Sequence, residues 1–140
     1  MTIEQRAESY EAALRRAGFR ITRQRAALLR VLAGADDHPD ATMLHSRANE
    51  AGAGVSLATV YRTLTELENQ GLIIKVAFEG EPARFEPADQ KHHDHMIDVD
   101  TGEVMEFFDD RIERLQNEIA AELGYEILRH RLELYVRKRP

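Results

Sequence analysis

Between Ser56 and Gly71 the apolar residues Leu57, Val60, Leu64 and Leu67 follow the i, i+3, i+7, i+10 rhythm of one buried helical stripe, and β-like runs follow at once. Ser56 caps such a helix, because its side chain can accept a bond from a free N–H of the first turn. Gly71 stops it, since glycine tolerates the left-handed backbone that ends a helix. Thr59, Arg62, Thr63 and Glu66 lie off the stripe, with Tyr61 at its margin. Residues 73–78 and 83–86 flank Glu79-Gly80-Glu81-Pro82, a hairpin signature. A helix followed by a hairpin leaves few architectures. Among them the winged helix-turn-helix would send this helix into a DNA major groove. A small helical domain whose fourth helix merely packs is the alternative.

The residues ahead of Ser56 supply the remaining helices. Residues 4–17 predict a first helix ended by Gly18, and Thr22 caps a second whose buried face is Ala26, Leu28, Leu29, Val31 and Leu32. Asp40 caps a third over 41–50. The net charge of −6 argues against a nucleic-acid binder until its distribution is considered. No acid occurs between Ala12 and Ala35, where Arg15, Arg16, Arg20, Arg23, Arg25 and Arg30 cluster into a candidate phosphate-binding face. From Asp89 onward acids crowd the chain, and that part attracts cations instead.

Beyond Pro87 the pattern changes. Residues 95–99 and 103–107 predict strands paired around Asp100-Thr101-Gly102, and Asp109 or Asp110 caps a helix over 110–123. A third strand over 126–136 would align Leu128, His130, Leu132, Leu134 and Val136 on one face. His130 on that face is either a core histidine bonded to its neighbours or a metal ligand.

Residues 92–95 read His-His-Asp-His. On a strand this sends His92 and Asp94 one way and His93 and His95 the other, so one stretch can serve two separate metal sites. A solvated polar loop is the bland alternative, and four potential ligands in four residues favour the metal. Imidazole with carboxylate suits iron, manganese, cobalt or zinc, and the absence of cysteine excludes any thiolate site, disulfide or cysteine nucleophile.

The run from Ser56 to Leu64, the hairpin end Arg84-Phe85-Glu86 and His92-His93-Asp94-His95 resemble, in this order and spacing, the ferric uptake regulator family. So do Arg23-Gln24-Arg25 after Thr22, Gly102 to Phe107, Asp110 to Glu113, and His130 through Tyr135. The resemblance implies an α+β chain: a winged helix-turn-helix domain over 1–86 that binds DNA, then a small α/β domain over 87–140 that dimerises and senses a divalent metal. It implies repression of metal-uptake genes by a homodimer on an A/T-rich palindromic operator, with higher-order pairing on DNA open. By match, the regulatory site is His38, Glu86, His93, His95 and Glu106, and the second site is His92, Asp94, Glu113 and His130. Here His38 stands before Pro39, with one residue fewer than relatives often carry. Fe2+ or Mn2+ is the implied ion in the cell, with Zn2+ or Co2+ able to bind in vitro. A four-cysteine structural zinc common in the family is absent, since Asp98 and Thr101 occupy the matching positions of its first pair.

For DNA, Tyr61 can pack on thymine methyls and Arg62 can bond a guanine edge or phosphate. Ser56 and Thr59 can donate to phosphates at the helix N-terminus, and Arg20 matches a basic side chain inserted into a narrow minor groove. No apolar run approaches the ~20 residues of a membrane span, and Glu4, Gln5, Arg6 and Glu8 stand where a signal peptide would be apolar. A cytoplasmic protein without membrane contact is expected. Two other classes stay open: a metal-dependent hydrolase, which the lack of a phosphate loop disfavours, and a metal-independent winged-helix regulator with structural histidines.

Overall fold

Capping residues frame the first half of the chain. In the computed structural model, which describes residues 1–140, four helices and a hairpin make up one unit, Met1–Gln90, and the remainder a second, Lys91–Pro140. Helix α1 (Ile3–Arg16) opens on a capping box in which the Thr2 hydroxyl accepts from the Gln5 N–H and the Gln5 side chain accepts from the Thr2 N–H. Helices α2 (Arg23–Gly34), α3 (Ala41–Glu50) and α4 (Leu57–Asn69) start after Thr22, Asp40 and Ser56, each of which accepts an N–H of the first turn.

The helices converge on Tyr10, Leu14, Leu28, Leu29, Leu32, Leu44, Val60, Leu64 and Leu67, all essentially without exposed surface. Each such side chain contributes about 1.5–3 kcal/mol relative to exposure. Two α4 residues depart from the sequence pattern. Leu57 is 38% exposed at the first turn, whereas Thr63, expected on the polar face, is fully buried. Its hydroxyl donates to the Thr59 carbonyl at 2.8 Å, which lets it sit among leucines without an unsatisfied polar group.

Strands β1 (Ile73–Val76) and β2 (Arg84–Pro87) pair antiparallel, from Ile73 opposite Pro87 to Val76 opposite Arg84. The turn between them is longer than the four residues the sequence marked, spanning 77–83. Residues 38–40 lie beside β2: Asp40 bridges Arg84, and the Phe85 N–H donates to the Pro39 carbonyl at 3.0 Å. The unit runs on past β2 because the Ala88 N–H donates to the Leu72 carbonyl and Arg6 pairs with Asp89 at 3.2 Å.

In the second unit β3 (Asp94–Asp98) lies between β4 (Val104–Phe107), antiparallel to it, and β5 (Glu133–Val136), parallel to it. Helix α5 (Asp110–Glu122), capped by Asp109, connects β4 to β5. The sequence predicts a strand over 126–136, but only its last third forms one. Strand β3 starts at Asp94, β5 pairs with it from Glu133 and the His95 N–H donates to the Leu132 carbonyl, so residues upstream of Leu132 have no ladder to satisfy their backbone. His130 therefore precedes the strand, and Leu128 is 88% exposed. His92 and His93 likewise precede β3.

Ile97 is the one fully buried apolar side chain of this unit. Phe108, Leu115, Ile119, Leu123, Leu134 and Tyr135 are exposed, three of them on one face of α5 or just past its end. At the turn after β3, Asp98 is buried and its carboxylate accepts the N–H groups of Asp100 (2.8 Å) and Thr101 (3.2 Å). These backbone bonds, Asp100 first, hold its carboxyl below the ordinary value.

Tyr10 is buried to 2% exposure and its hydroxyl makes no hydrogen bond. Burial pushes its phenol from 10.0 to about 12, with Arg6 opposing and Asp89 reinforcing the shift. A raised phenol pKa means that stability is complete below pH 10.0 and falls as pH rises through about 12. Tyr10→Phe is expected to be neutral or stabilising near pH 7, because no bond is lost, and to flatten that alkaline fall. Urea midpoints of both proteins on either side of pH 10 check this.

Candidate metal centre and nucleic-acid face

Asp94 starts β3 with its side chain wholly removed from solvent, and three other potential ligands surround it. Glu113 comes from the first turn of α5, His92 from just before β3, and His130 from the irregular segment before β5. The Nε2 atoms of His92 and His130 are 3.2 Å apart. From His92 Nε2 to Asp94 Oδ1 is 3.4 Å and to Glu113 Oε1 3.3 Å; from His130 Nε2 the same oxygens lie at 3.1 and 3.6 Å.

Those separations match the edge of a tetrahedron with bonds of 2.0–2.1 Å, which is about 3.3 Å. Hydrogen bonding alone serves the cluster poorly. Two neutral imidazoles have at most one Nε2 proton each, and Asp94 Oδ2 and Glu113 Oε1 are buried with no hydrogen bond. A buried carboxylate oxygen left so is costly, and a divalent cation among two nitrogens and two carboxylates would remove the cost. The donor set fits an ion of the first transition row. His92 is 42% exposed along its side chain, which leaves a route for exchange.

The residues matched to the regulatory site form two local groups. Within the first unit, His38 Nε2 lies 2.8 Å from Glu86 Oε2, both side chains buried. His38 has φ +56°, in the left-handed region, an uncommon conformation for a residue other than glycine. It is held there by the bonds of residues 39 and 40 to β2, and by Arg84, whose guanidinium donates to the His38 carbonyl at 3.3 Å. Within the second unit, the His93 and His95 rings meet edge to face at 4.8 Å, and His93 Nε2 is 3.5 Å from Glu106 Oε1. His93 Nδ1 is 2.9 Å from the Lys91 carbonyl, which can only accept, so Nδ1 carries the proton. In the neutral ring Nε2 then presents its lone pair toward Glu106, the tautomer of a metal-ligating histidine.

On the first unit, Tyr61 and Arg62 are exposed on α4 together with Leu57 and Ala58. Ser56 and Thr59 serve the helix start: Ser56 accepts the Thr59 N–H and donates to its hydroxyl, and Arg62 donates to that same hydroxyl at 3.3 Å. Arg20 is exposed before α2, its carbonyl accepting from Arg25 at 2.8 Å. Arg25, one of six arginines that the sequence places in a candidate phosphate-binding face, stacks over Phe19 at 5.1 Å. Burial first, and the charge of Arg62 second, push its guanidinium below the ordinary value. The basic window after Thr22 was the available signal for Arg25.

A family model described as the ferric uptake regulator family matches residues 16–135. A ferric uptake regulation protein of Brucella abortus is 55% identical over 129 residues, covering 92% of each chain. Among solved structures, a zinc-bound manganese uptake regulator superposes with TM-score 0.79 at 39% identity, over 99% of this chain and 100% of that one. The ferric uptake regulator Fur of Helicobacter pylori, described as having three functional metal binding sites, gives TM-score 0.87 at 26% identity, over 99% and 93%.

If the cluster around Asp94 holds an ion, His130→Ala is expected to lower the Zn(II) or Mn(II) bound per chain by one equivalent. Equilibrium dialysis with metal analysis measures it, and an unchanged stoichiometry sinks the assignment.

Proposed function

We propose that this chain, which belongs to the ferric uptake regulator family, is a repressor of iron- or manganese-uptake genes whose operator affinity is set by a bound divalent metal. Members of the family are metal-responsive transcription regulators that bind DNA as dimers, and not enzymes. The hydrolase alternative therefore falls away. The observation that carries the metal-responsive reading is the convergence of two imidazoles and two carboxylates at tetrahedral spacing around buried Asp94.

In this reading the second site, His92, Asp94, Glu113 and His130, is internal to the dimerisation domain and stiffens it. The regulatory site takes His38 and Glu86 from the winged-helix domain and His93, His95 and Glu106 from the other. Supporting it, each local group is already assembled in its own unit, and the Lys91 carbonyl engages His93 Nδ1, which leaves Nε2 facing Glu106. An ion joining the groups selects one orientation of the DNA-binding domain. It raises operator affinity by its preference for that orientation over others. The exposed apolar side chains of α5 and β5 are the dimer face, since a unit with so little buried apolar surface needs a partner to cover them.

Tyr61 and Arg62 read bases, Ser56 and Thr59 fix the start of α4 and face phosphate, and Arg20 with Arg25 neutralises the backbone. A two-fold dimer fits an A/T-rich palindrome, and pairing of dimers on longer operators is compatible with it. No helix is long and apolar enough to cross a membrane, and we place the protein in the cytoplasm with its DNA. Fe2+ or Mn2+ is the ion in the cell. Zn2+ and Co2+ will bind in vitro because affinity rises along the divalent series whatever ion the site serves.

Titrating operator binding against Fe(II), Mn(II), Zn(II) and Co(II) tests the whole. Strong metal dependence, abolished by His93→Ala, is expected; equal affinity of apo and loaded protein would instead identify a metal-independent regulator. Arg62→Ala is expected to cost about 1–3 kcal/mol of operator affinity at matched salt. An unchanged dissociation constant removes Arg62 from the interface.

A further inference from the structure

We infer that Gln116 is an additional oxygen donor of the centre formed by His92, Asp94, Glu113 and His130, and that it fits this centre to a five- or six-coordinate ion. The inference rests on reading those four residues as a metal site. Gln116 follows Glu113 by three residues on α5, which places the two side chains on one helical face. Gln116, Glu113, His92 and His130 line one cavity of about 530 Å³.

Gln116 Oε1 is buried and accepts no hydrogen bond, the same condition as Asp94 Oδ2 and Glu113 Oε1 beside the imidazoles. Three orphaned oxygens in one locality call for a shared cation more than for separate donors. Once an ion binds, both Nε2 atoms are ligands and neither can donate to the amide. Of the other residues that line the cavity, Phe108, Ile127 and Leu128 bring no side-chain donor, while Asn117 and Arg129 carry donors that make no hydrogen bond to Gln116 Oε1. An amide oxygen is a hard, neutral donor of the kind that manganese and ferrous iron accept beyond four ligands, whereas zinc is complete at four. Gln116 would then weigh the centre toward the larger coordination number without adding charge.

The test uses the full chain with His38→Ala and Glu86→Ala, so that the other ligand set does not compete, and measures Mn(II) and Zn(II) affinities by competition with a chelating dye. Gln116→Ala is expected to weaken Mn(II) about tenfold, the order of a lost supporting contact, and to leave Zn(II) unchanged. X-ray absorption of the Mn(II) form should lose one oxygen neighbour. Gln116→Glu should recover Mn(II) affinity, which excludes a folding defect as the cause.

Equal losses for both ions, or none, overturn the inference. So does Gln116→Glu binding both ions more weakly than Gln116→Ala, since that would mean the amide donates its N–H to the Glu113 carboxylate. His130→Ala separates the two levels: if it leaves both affinities intact, the four-residue site itself fails, and this inference with it.

Discussion

A carboxylate with no exposed surface at the first residue of a strand is the constraint around which the second unit is organised. A carboxylate buried there is costly without compensation, and two imidazoles supply it from different directions. His92 approaches along the chain, His130 from the segment before β5, and Glu113 from α5 brings a second negative charge to the same spot. That second charge is informative. Imidazoles gathered only to neutralise Asp94 would not be joined by another acid, whereas a divalent ion balances both carboxylates and leaves the imidazoles neutral.

Much of the fold is legible in the sequence because its punctuation is local. Thr22, Asp40 and Ser56 cap the helices they precede, since capping depends on a side chain reaching an N–H two or three residues away. What depends on distant partners is less legible. The strand read over 126–136 has the right alternation, yet its first part finds no neighbouring ladder. Thr63 looks polar in the sequence and is buried because one carbonyl a turn earlier absorbs its hydroxyl. His92 lies beside Asp94 and the His93 ring beside that of His95, although alternation along a strand applies only from Asp94 onward. The segment ahead of the strand is tied by the Lys91 carbonyl instead.

The candidate site is legible to a similar degree. Ligand type and clustering at 92–95 need only the sequence. That Glu113 and His130 complete one of the clusters needs the crossing of α5 over to β5, which no spacing announces. Arg25 was not singled out within the candidate phosphate-binding face, and Gln116 had no functional reading, for opposite reasons. One was hidden among many arginines, and the other is a residue type whose usual place is a solvated helix face.

The turn after β3 is closed by the Asp98 carboxylate on two backbone N–H groups, where thiolates gripping zinc would serve the same end in other chains. A thiolate clasp is a redox liability: peroxide converts it to disulfide, releases the metal and loosens whatever the clasp held. A carboxylate clasp is inert to oxidants, and with no cysteine anywhere in the chain there is no thiol to oxidise. The turn after β3 thereby keeps its closure under oxidising conditions. The sulfur that peroxide can oxidise in this chain is that of its four methionines.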